Sequence, residues 1–293
     1  MATIAKPFGS RPYFRVPLAG GGVLELGVRP LVMGILNVTP DSFGDSGIVT
    51  PAEAIDRALE IEDEGADILD IGGESTRPGA EPVDAETERR RLLPVLEGLR
   101  GRLGIPISVD TYKAAVADAA LDAGAHMVND VSGLTYEPEL AHVVGRRGAS
   151  IVLMHTRGRS KDMYQEAEYS DVVVDVAREL TARVDAAAAA GVPLEAIVVD
   201  PGIGFAKRPE HSYGVLARLS ALADAVGRPV LVGPSRKSFM RAAAEGAEAS
   251  DRDWTTAAAV TASVLGGAHI VRVHAIRPMV QVVRTAEEIR KAG

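Results

Sequence analysis

Short apolar runs rich in β-branched residues alternate along the chain with longer segments whose apolar residues recur at helical spacing. The runs lie at 31–37, 67–72, 106–110, 125–129, 150–155, 196–200, 229–233 and 269–273. Their central residues, such as Ile68-Leu69 and Ile197-Val198-Val199, are apolar on both faces of an extended chain, the pattern of parallel strands covered by helices. Helical segments fall between them at 51–65, 84–99, 113–124, 171–191 and 254–266, with glycine at several C-terminal ends. Eight βα units in succession predict an α/β fold, a single (β/α)8 TIM barrel over 31–293. The competing architecture is an open doubly wound sheet. It needs a topological switch point and usually fewer strands, and no dinucleotide fingerprint supports it, since Gly202 and Gly204 read as a tight turn. Ahead of the first strand, residues 13–26 alternate around Gly20-Gly21-Gly22, which predicts an N-terminal β-hairpin within 1–30 that closes the barrel bottom.

Composition narrows the class. A chain of 293 residues with 46% hydrophobic and 25% charged residues suits one globular domain over 1–293, because α/β barrels reach that length around one core. There is no cysteine, which excludes disulfides, thiolate metal sites and a cysteine nucleophile and suits a reducing cytoplasm. No apolar run has the length of a signal peptide or a membrane span. The net charge is −8 and no basic run is interleaved with aromatics, so neither a membrane nor a nucleic acid is expected as a partner.

Barrel active sites are built at the C-terminal ends of the strands, and here those ends are polar. They carry Asn37, Glu74-Ser75-Thr76-Arg77, Asp110, Asn129-Asp130, His155, Asp200, Ser235-Arg236-Lys237, and Arg272 with His274. Any one of these alone reads first as a helix cap; gathered on one rim they read as a site. Asp110, Asn129 and Asp200 offer several acceptors and an amide toward the axis, which suits a flat heterocycle with amide and amino groups. The same groups are also an oxygen set for magnesium, although their separation across strands and the presence of an amide favour the ring pocket. Arg77, Arg236, Lys237, Arg272 and His274 make the other side cationic in a chain of net charge −8, which points to an anionic substrate. Arg89, Arg90 and Arg91 read instead as ion-pairing residues of an outer helix. Phe43 lies on a loop, 38–47, read either as a lid closing over a ligand or as a loop pinned to the barrel by that ring.

Eight motifs between about 31 and 274 carry a family resemblance. Leu36-Asn37-Val38-Thr39-Pro40-Asp41-Ser42-Phe43, Gly72-Gly73-Glu74-Ser75-Thr76-Arg77-Pro78-Gly79, Ser108-Val109-Asp110-Thr111 and Val128-Asn129-Asp130 come first. Leu153-Met154-His155, Asp200-Pro201-Gly202-Ile203-Gly204-Phe205, Ser235-Arg236-Lys237-Ser238 and Arg272-Val273-His274 follow. In this order they resemble the motifs of the dihydropteroate synthase family of pterin-binding TIM barrels. The resemblance implies a cytoplasmic transferase of folate biosynthesis and a sulfonamide target. Its reaction would condense 6-hydroxymethyl-7,8-dihydropterin pyrophosphate with p-aminobenzoate through a pterin cation.

The resemblance further implies that Asp110, Asn129, Asp200 and Lys237 hold the pterin. Asn37 would place Mg2+ on the pyrophosphate, whose oxygens Thr76, Arg272 and His274 contact. Ser238, at the N-terminus of the helix after the seventh strand, would receive the p-aminobenzoate carboxylate, with Arg77, Phe205 and Phe43 around the ring. Catalysis would rest on Asp110, Lys237, Arg272 and His274. The implied partners are these small molecules and a second copy of the chain, docked through the last helices, where 257–267 is rich in small residues. Three positions depart from the pattern. Ala206 stands where glycine commonly follows Phe205, Ala275 where aspartate often follows His274, and Thr255 where glycine often opens the last barrel helix. Two rival readings share the polar pocket. A methyltetrahydrofolate-dependent methyltransferase has no need of the cationic rim, and a non-catalytic pterin binder has no use for Asn37, Arg272 and His274.

Overall fold

The computed structural model describes residues 8–39, 50–75, 81–159, 164–165 and 167–293. The chain opens with a hairpin of β1 (Phe14–Pro17) and β2 (Val23–Leu26), paired antiparallel with Phe14 opposite Leu26. Then βα units follow: β3 (Leu31–Asn37) and α1 (Pro51–Asp63), β4 (Ile68–Gly72) and α2 (Ala85–Leu99), β5 (Ile107–Asp110) and α3 (Ala114–Asp122), β6 (Met127–Asp130) and α4 (Glu139–Arg147). The second half holds β7 (Ser150–Met154) and α5 (Val172–Ala189), β8 (Ile197–Asp200) with α6 (Pro209–Ala217) and α7 (Leu219–Val226), β9 (Leu231–Val232) with α8 (Asp253–Leu265), and β10 (Ile270–Val273) with α9 (Ile276–Ala292).

Strands β3 to β10 form one parallel sheet in the order β8-β7-β6-β5-β4-β3-β10-β9. A parallel bridge between Val199 and Val230 closes the circle, and the Val199 N–H donates to the Pro229 carbonyl at 2.9 Å. The barrel expected from the eight apolar runs is therefore the fold observed. Local signals set its boundaries. Thr50 caps α1 by accepting from the Glu53 N–H at 3.2 Å while the Glu53 carboxylate accepts from the Thr50 N–H at 2.9 Å, and Pro51 occupies the first helical position.

Alternation along each strand divides the core. Outward residues such as Val32, Leu69, Val109, Val128, Ile151, Val199 and Val271 pack under the helices. Inward residues Leu31, Met33, Ile68, Met127, Val152, Val198, Leu231 and Ile270 meet Val16, Leu18, Leu24 and Leu26 of the hairpin in a second apolar cluster. The hairpin is thus the plug that its alternating pattern predicts. Its turn is tied down where the Ala19 N–H donates to the His126 carbonyl at 3.0 Å.

The segment before the hairpin and the end of α9 meet on the same floor. The Gly9 N–H donates to the Leu265 carbonyl at 2.9 Å, His269 Nε2 bonds the Pro12 carbonyl at 3.0 Å, and Arg11 pairs with Glu287 at 2.5 Å in the interior.

Because Leu26 is fully buried between hairpin and barrel, Leu26→Ala is expected to destabilise the protein by about 2–5 kcal/mol in urea denaturation. A loss below about 1 kcal/mol would mean that the plug contributes little to the fold.

Candidate active site

Two residues further along β4, β6, β8 and β10, the barrel interior changes character. Above Ile68 stands Asp70, above Met127 stands Asn129, above Val198 stands Asp200, and above Ile270 stands Arg272. With Asp110 at the end of β5, this places three carboxylates, one amide and one guanidinium inside the barrel, all of the acids and the amide at most 8% exposed. Buried charges need partners. Arg272 supplies them: its Nε donates to Asp70 at 2.6 Å and its Nη2 to Asp110 at 2.7 Å, while Asn129 Nδ2 donates to Asp70 at 3.0 Å. Burial works against the Arg272 charge, but Asp70 and Asp110 more than offset it and hold its pKa above the ordinary value. Burial pushes the Asp110 carboxyl well above its usual range; Arg272 opposes that rise and the charge of Asp70 adds to it.

Across the barrel, Asp200 accepts from the Gly202 N–H at 2.7 Å. Gly202 sits at φ +67°, and a Cβ there would lie 1.9 Å from the His155 carbonyl oxygen, so only glycine lets the chain turn back beneath the carboxylate. Lys237 reaches over from the loop after β9. Its Nζ donates to the Ile203 carbonyl at 2.6 Å and lies 4.5 Å from the centre of the Phe205 ring. Burial brings the Lys237 ammonium down to about 8, with Asp200 opposing the fall. Burial likewise raises Asp200, against the pull of Lys237. On the third side His274 Nδ1 and Ser235 Oγ are 2.9 Å apart, and the His274 N–H donates to the same hydroxyl at 3.2 Å.

Asp110, Asn129, Asp200, Lys237, Arg272, Ser235 and His274 line one cavity of about 560 Å³ at the C-terminal mouth of the barrel, with Asp70 buried behind Arg272. Asn37, Phe205 and Ser238 face it as well, together with Tyr164. Carboxylates and an amide share it with the cations of Lys237 and Arg272, a pairing suited to a polar heterocycle joined to an anion.

A family model described as pterin binding enzyme matches residues 33–274. The chain is 45% identical over 279 residues to a dihydropteroate synthase of Synechocystis, covering 94% of this chain and 96% of that one. The chain belongs to the dihydropteroate synthase family of pterin binding enzymes. It is also 45% identical over 268 residues to the folic acid synthesis protein of Schizosaccharomyces pombe, where the match takes 89% of this chain but 36% of that longer protein. The solved dihydropteroate synthase of Xanthomonas albilineans with 4-aminobenzoic acid superposes with a TM-score of 0.88 at 40% identity, covering 95% of this chain and 99% of that one.

Within this family frame, nine of the twelve residues to which the resemblance gives a role line the cavity, while Phe43, Thr76 and Arg77 lie outside the described residues. Most of the loop at 38–47 lies outside them as well. Three strand-end residues do not join the cavity wall. His155 follows the inward Met154 and so faces outward, fully buried between Glu179 and Lys207. Asp130 follows the inward Asn129 and holds its own loop, accepting from the Ser132 N–H at 2.8 Å and the Leu134 N–H at 2.6 Å. Glu74 is tied to Lys113 at 2.5 Å.

Arg236 lines the cavity, yet its guanidinium is engaged by Asp253 at 2.7 and 2.8 Å. Ser238 faces the cavity, but it opens a 3-10 turn of three residues, Ser238–Met240, and the long helix α8 begins only at Asp253. The reading of a helix N-terminus at Ser238 is therefore corrected, and with it the dipole argument for an anion there. The residue missed was Asp70. It sits inside an otherwise apolar run, and its signal was available: a lone acid in the middle of a buried strand needs a cation opposite it.

Arg272→Met leaves Asp110 buried without its cation. The native state of the variant then binds more protons near neutrality than its unfolded state, so its stability relative to the parent falls as pH rises. In denaturation at about pH 6 and about pH 8, the deficit of the variant is expected to be larger at the higher pH. Equal deficits at both would contradict the pairing.

Proposed function

We propose that this chain condenses 6-hydroxymethyl-7,8-dihydropterin pyrophosphate with p-aminobenzoate to give 7,8-dihydropteroate and pyrophosphate. The observation that carries the reading is the single cavity in which Asp110, Asn129, Asp200 and Lys237 stand beside Arg272 and His274. A methyl-group transfer from a reduced folate would have no anionic leaving group for Arg272 and His274 to meet, and a bare pterin binder would make no use of them either.

In the proposed complex Asp110, Asn129, Asp200 and Lys237 pair with the amide and amino groups of the pterin. Arg272 and His274 face the pyrophosphate. The bond between the pterin methylene carbon and the pyrophosphate oxygen breaks with its electron pair leaving on pyrophosphate, and a delocalised pterin cation remains. The amine lone pair of p-aminobenzoate forms the new carbon–nitrogen bond, and the displaced proton leaves to solvent. A carboxylate such as Asp110 about 4 Å from that cation, at an effective dielectric near 20, contributes about 4 kcal/mol. Arg272 is already clamped by Asp70 and Asp110, so little reorganisation opposes its interaction with the departing charge. Phe205 and Ser238 line the amine side. Phe43, Thr76 and Arg77 retain the roles that the family resemblance implies.

Among the described residues no group of three or more His, Asp or Glu is arranged to hold a metal. Asn37 offers one neutral amide oxygen at the cavity wall. That donor fits a magnesium ion carried mainly by substrate phosphates and water, which when bound neutralises charge on the leaving group.

We further propose a homodimer formed across α8 and α9. Trp254 is 88% exposed and borders a groove of about 430 Å³ with Ala257, Thr261, Val282 and Ile289, an apolar surface that a second copy would cover. The absence of cysteine suits a reducing compartment, and we place the reaction in the cytoplasm. No helix among the described residues is long and apolar enough to cross a membrane.

Incubation with both substrates and magnesium should release dihydropteroate and pyrophosphate in equal amounts, and EDTA should abolish both. Asp110→Asn keeps the shape and removes the charge, and is expected to lower turnover by roughly a hundredfold or more. Unchanged turnover would remove Asp110 from the chemistry. Trp254→Asp should halve the mass seen in analytical ultracentrifugation; a parent already sedimenting as a monomer would refute the dimer.

A further inference from the structure

Beneath the amine side of the cavity lies a buried polar set that the reaction itself does not use. Lys207 is 1% exposed, and burial drives its pKa well below the ordinary lysine value. Its Nζ lies 2.8 Å from His155 Nδ1 and donates to the Phe205 carbonyl at 3.1 Å. His155 Nε2 lies 3.0 Å from Glu179, which also accepts from Arg157 Nε at 3.2 Å. The carboxylate of Glu179 only accepts, so His155 carries its proton on Nε2, and the neutral ring offers Nδ1 as the acceptor for Lys207. Burial, with Lys207 alongside, brings the His155 pKa down to about 3 and keeps that ring neutral.

The next carbonyl is held as well. Tyr169 Oη donates to the Ala206 carbonyl at 2.9 Å, and the Tyr169 ring is covered by the Arg157 guanidinium at 4.1 Å. Ala206 itself adopts φ +46°, a left-handed conformation unfavourable for a residue with a Cβ. Two successive carbonyls, of Phe205 and of the strained Ala206, are thus held by side chains, beside the Phe205 ring that meets Lys237.

We propose that Lys207, backed by His155 and Glu179, is a positioning residue for the amine substrate, holding the Phe205 carbonyl and so fixing the ring that borders the p-aminobenzoate side of the cavity. The inference rests on the synthase reading of that cavity. A lysine buried only for stability would support both substrates alike. One that holds Phe205 affects the amine more than the pterin, because the pterin contacts Asp110 and Asn129 lie on β5 and β6, while Asp200 and Lys237 meet the turn at Gly202 and Ile203, ahead of the carbonyl that Lys207 holds.

The test is Lys207→Met, which keeps length and removes the donor, with Tyr169→Phe as a milder variant that deletes one hydroxyl. Steady-state kinetics would give KM for p-aminobenzoate, and calorimetry the affinity for the pterin pyrophosphate. Lys207→Met is expected to raise KM for p-aminobenzoate about tenfold while pterin affinity stays within about twofold, and Tyr169→Phe to shift KM the same way by about threefold. Unchanged KM, or equal losses for both substrates, would overturn the proposal. If Lys207→Met does not fold, Tyr169→Phe decides: a selective amine defect supports the role and its absence refutes it. Should the parent protein form no dihydropteroate at all, the synthase reading has failed, an outcome separate from a synthase whose KM ignores Lys207.

Discussion

The guanidinium of Arg272, between Asp70 and Asp110, is the interaction on which the upper half of the barrel depends. Three strands meet there, β10 supplying the cation and β4 and β5 the two acids. Isolated carboxylates in such a place would take up protons or push the strands apart; around one fixed fork they become an ordered, charged floor. Asn129 extends the arrangement to β6, and on the far wall the charge of Lys237 opposes the rise that burial imposes on Asp200. A buried ion cluster contributes less to stability than an apolar core of the same volume. Its worth lies in geometry, because acceptors and donors stand in place before a ligand arrives.

That placement divides the barrel by height. The lower layer, Met33, Ile68, Met127, Val152, Val198, Leu231 and Ile270, is apolar and sealed by the hairpin. One alternation higher, four of these strands turn polar, at Asp70, Asn129, Asp200 and Arg272. The division lets the lower half hold the fold while the upper half keeps charges whose burial costs stability.

Much of this was legible in the chain. The apolar runs located every barrel strand, since strands covered on both faces leave the same continuous signature wherever they occur. Polar strand ends located the mouth. What failed was the face of individual residues. His155 and Asp130 each stand one position beyond an inward side chain, and one step along a strand reverses direction, so adjacent polar residues cannot both reach the axis. Asp70 was hidden for the opposite reason: it occupies an inward position in mid-strand, where only the knowledge of a cation from β10 makes an acid tolerable. Ser238 faces the cavity as expected, but the helix start read there is a 3-10 turn that stops after three residues. Ala206, by contrast, was a visible departure whose meaning is conformational, a methyl group held at positive φ.

The floor of the barrel has a further consequence. Residues 9–12 and the last turns of α9 come together there, through Gly9, Arg11 and Glu287, on the side away from the cavity. The first described residues and the end of α9 therefore lie away from the mouth, leaving it open to diffusing reactants, and the folic acid synthesis protein of Schizosaccharomyces pombe carries the matching segment as 36% of a longer polypeptide.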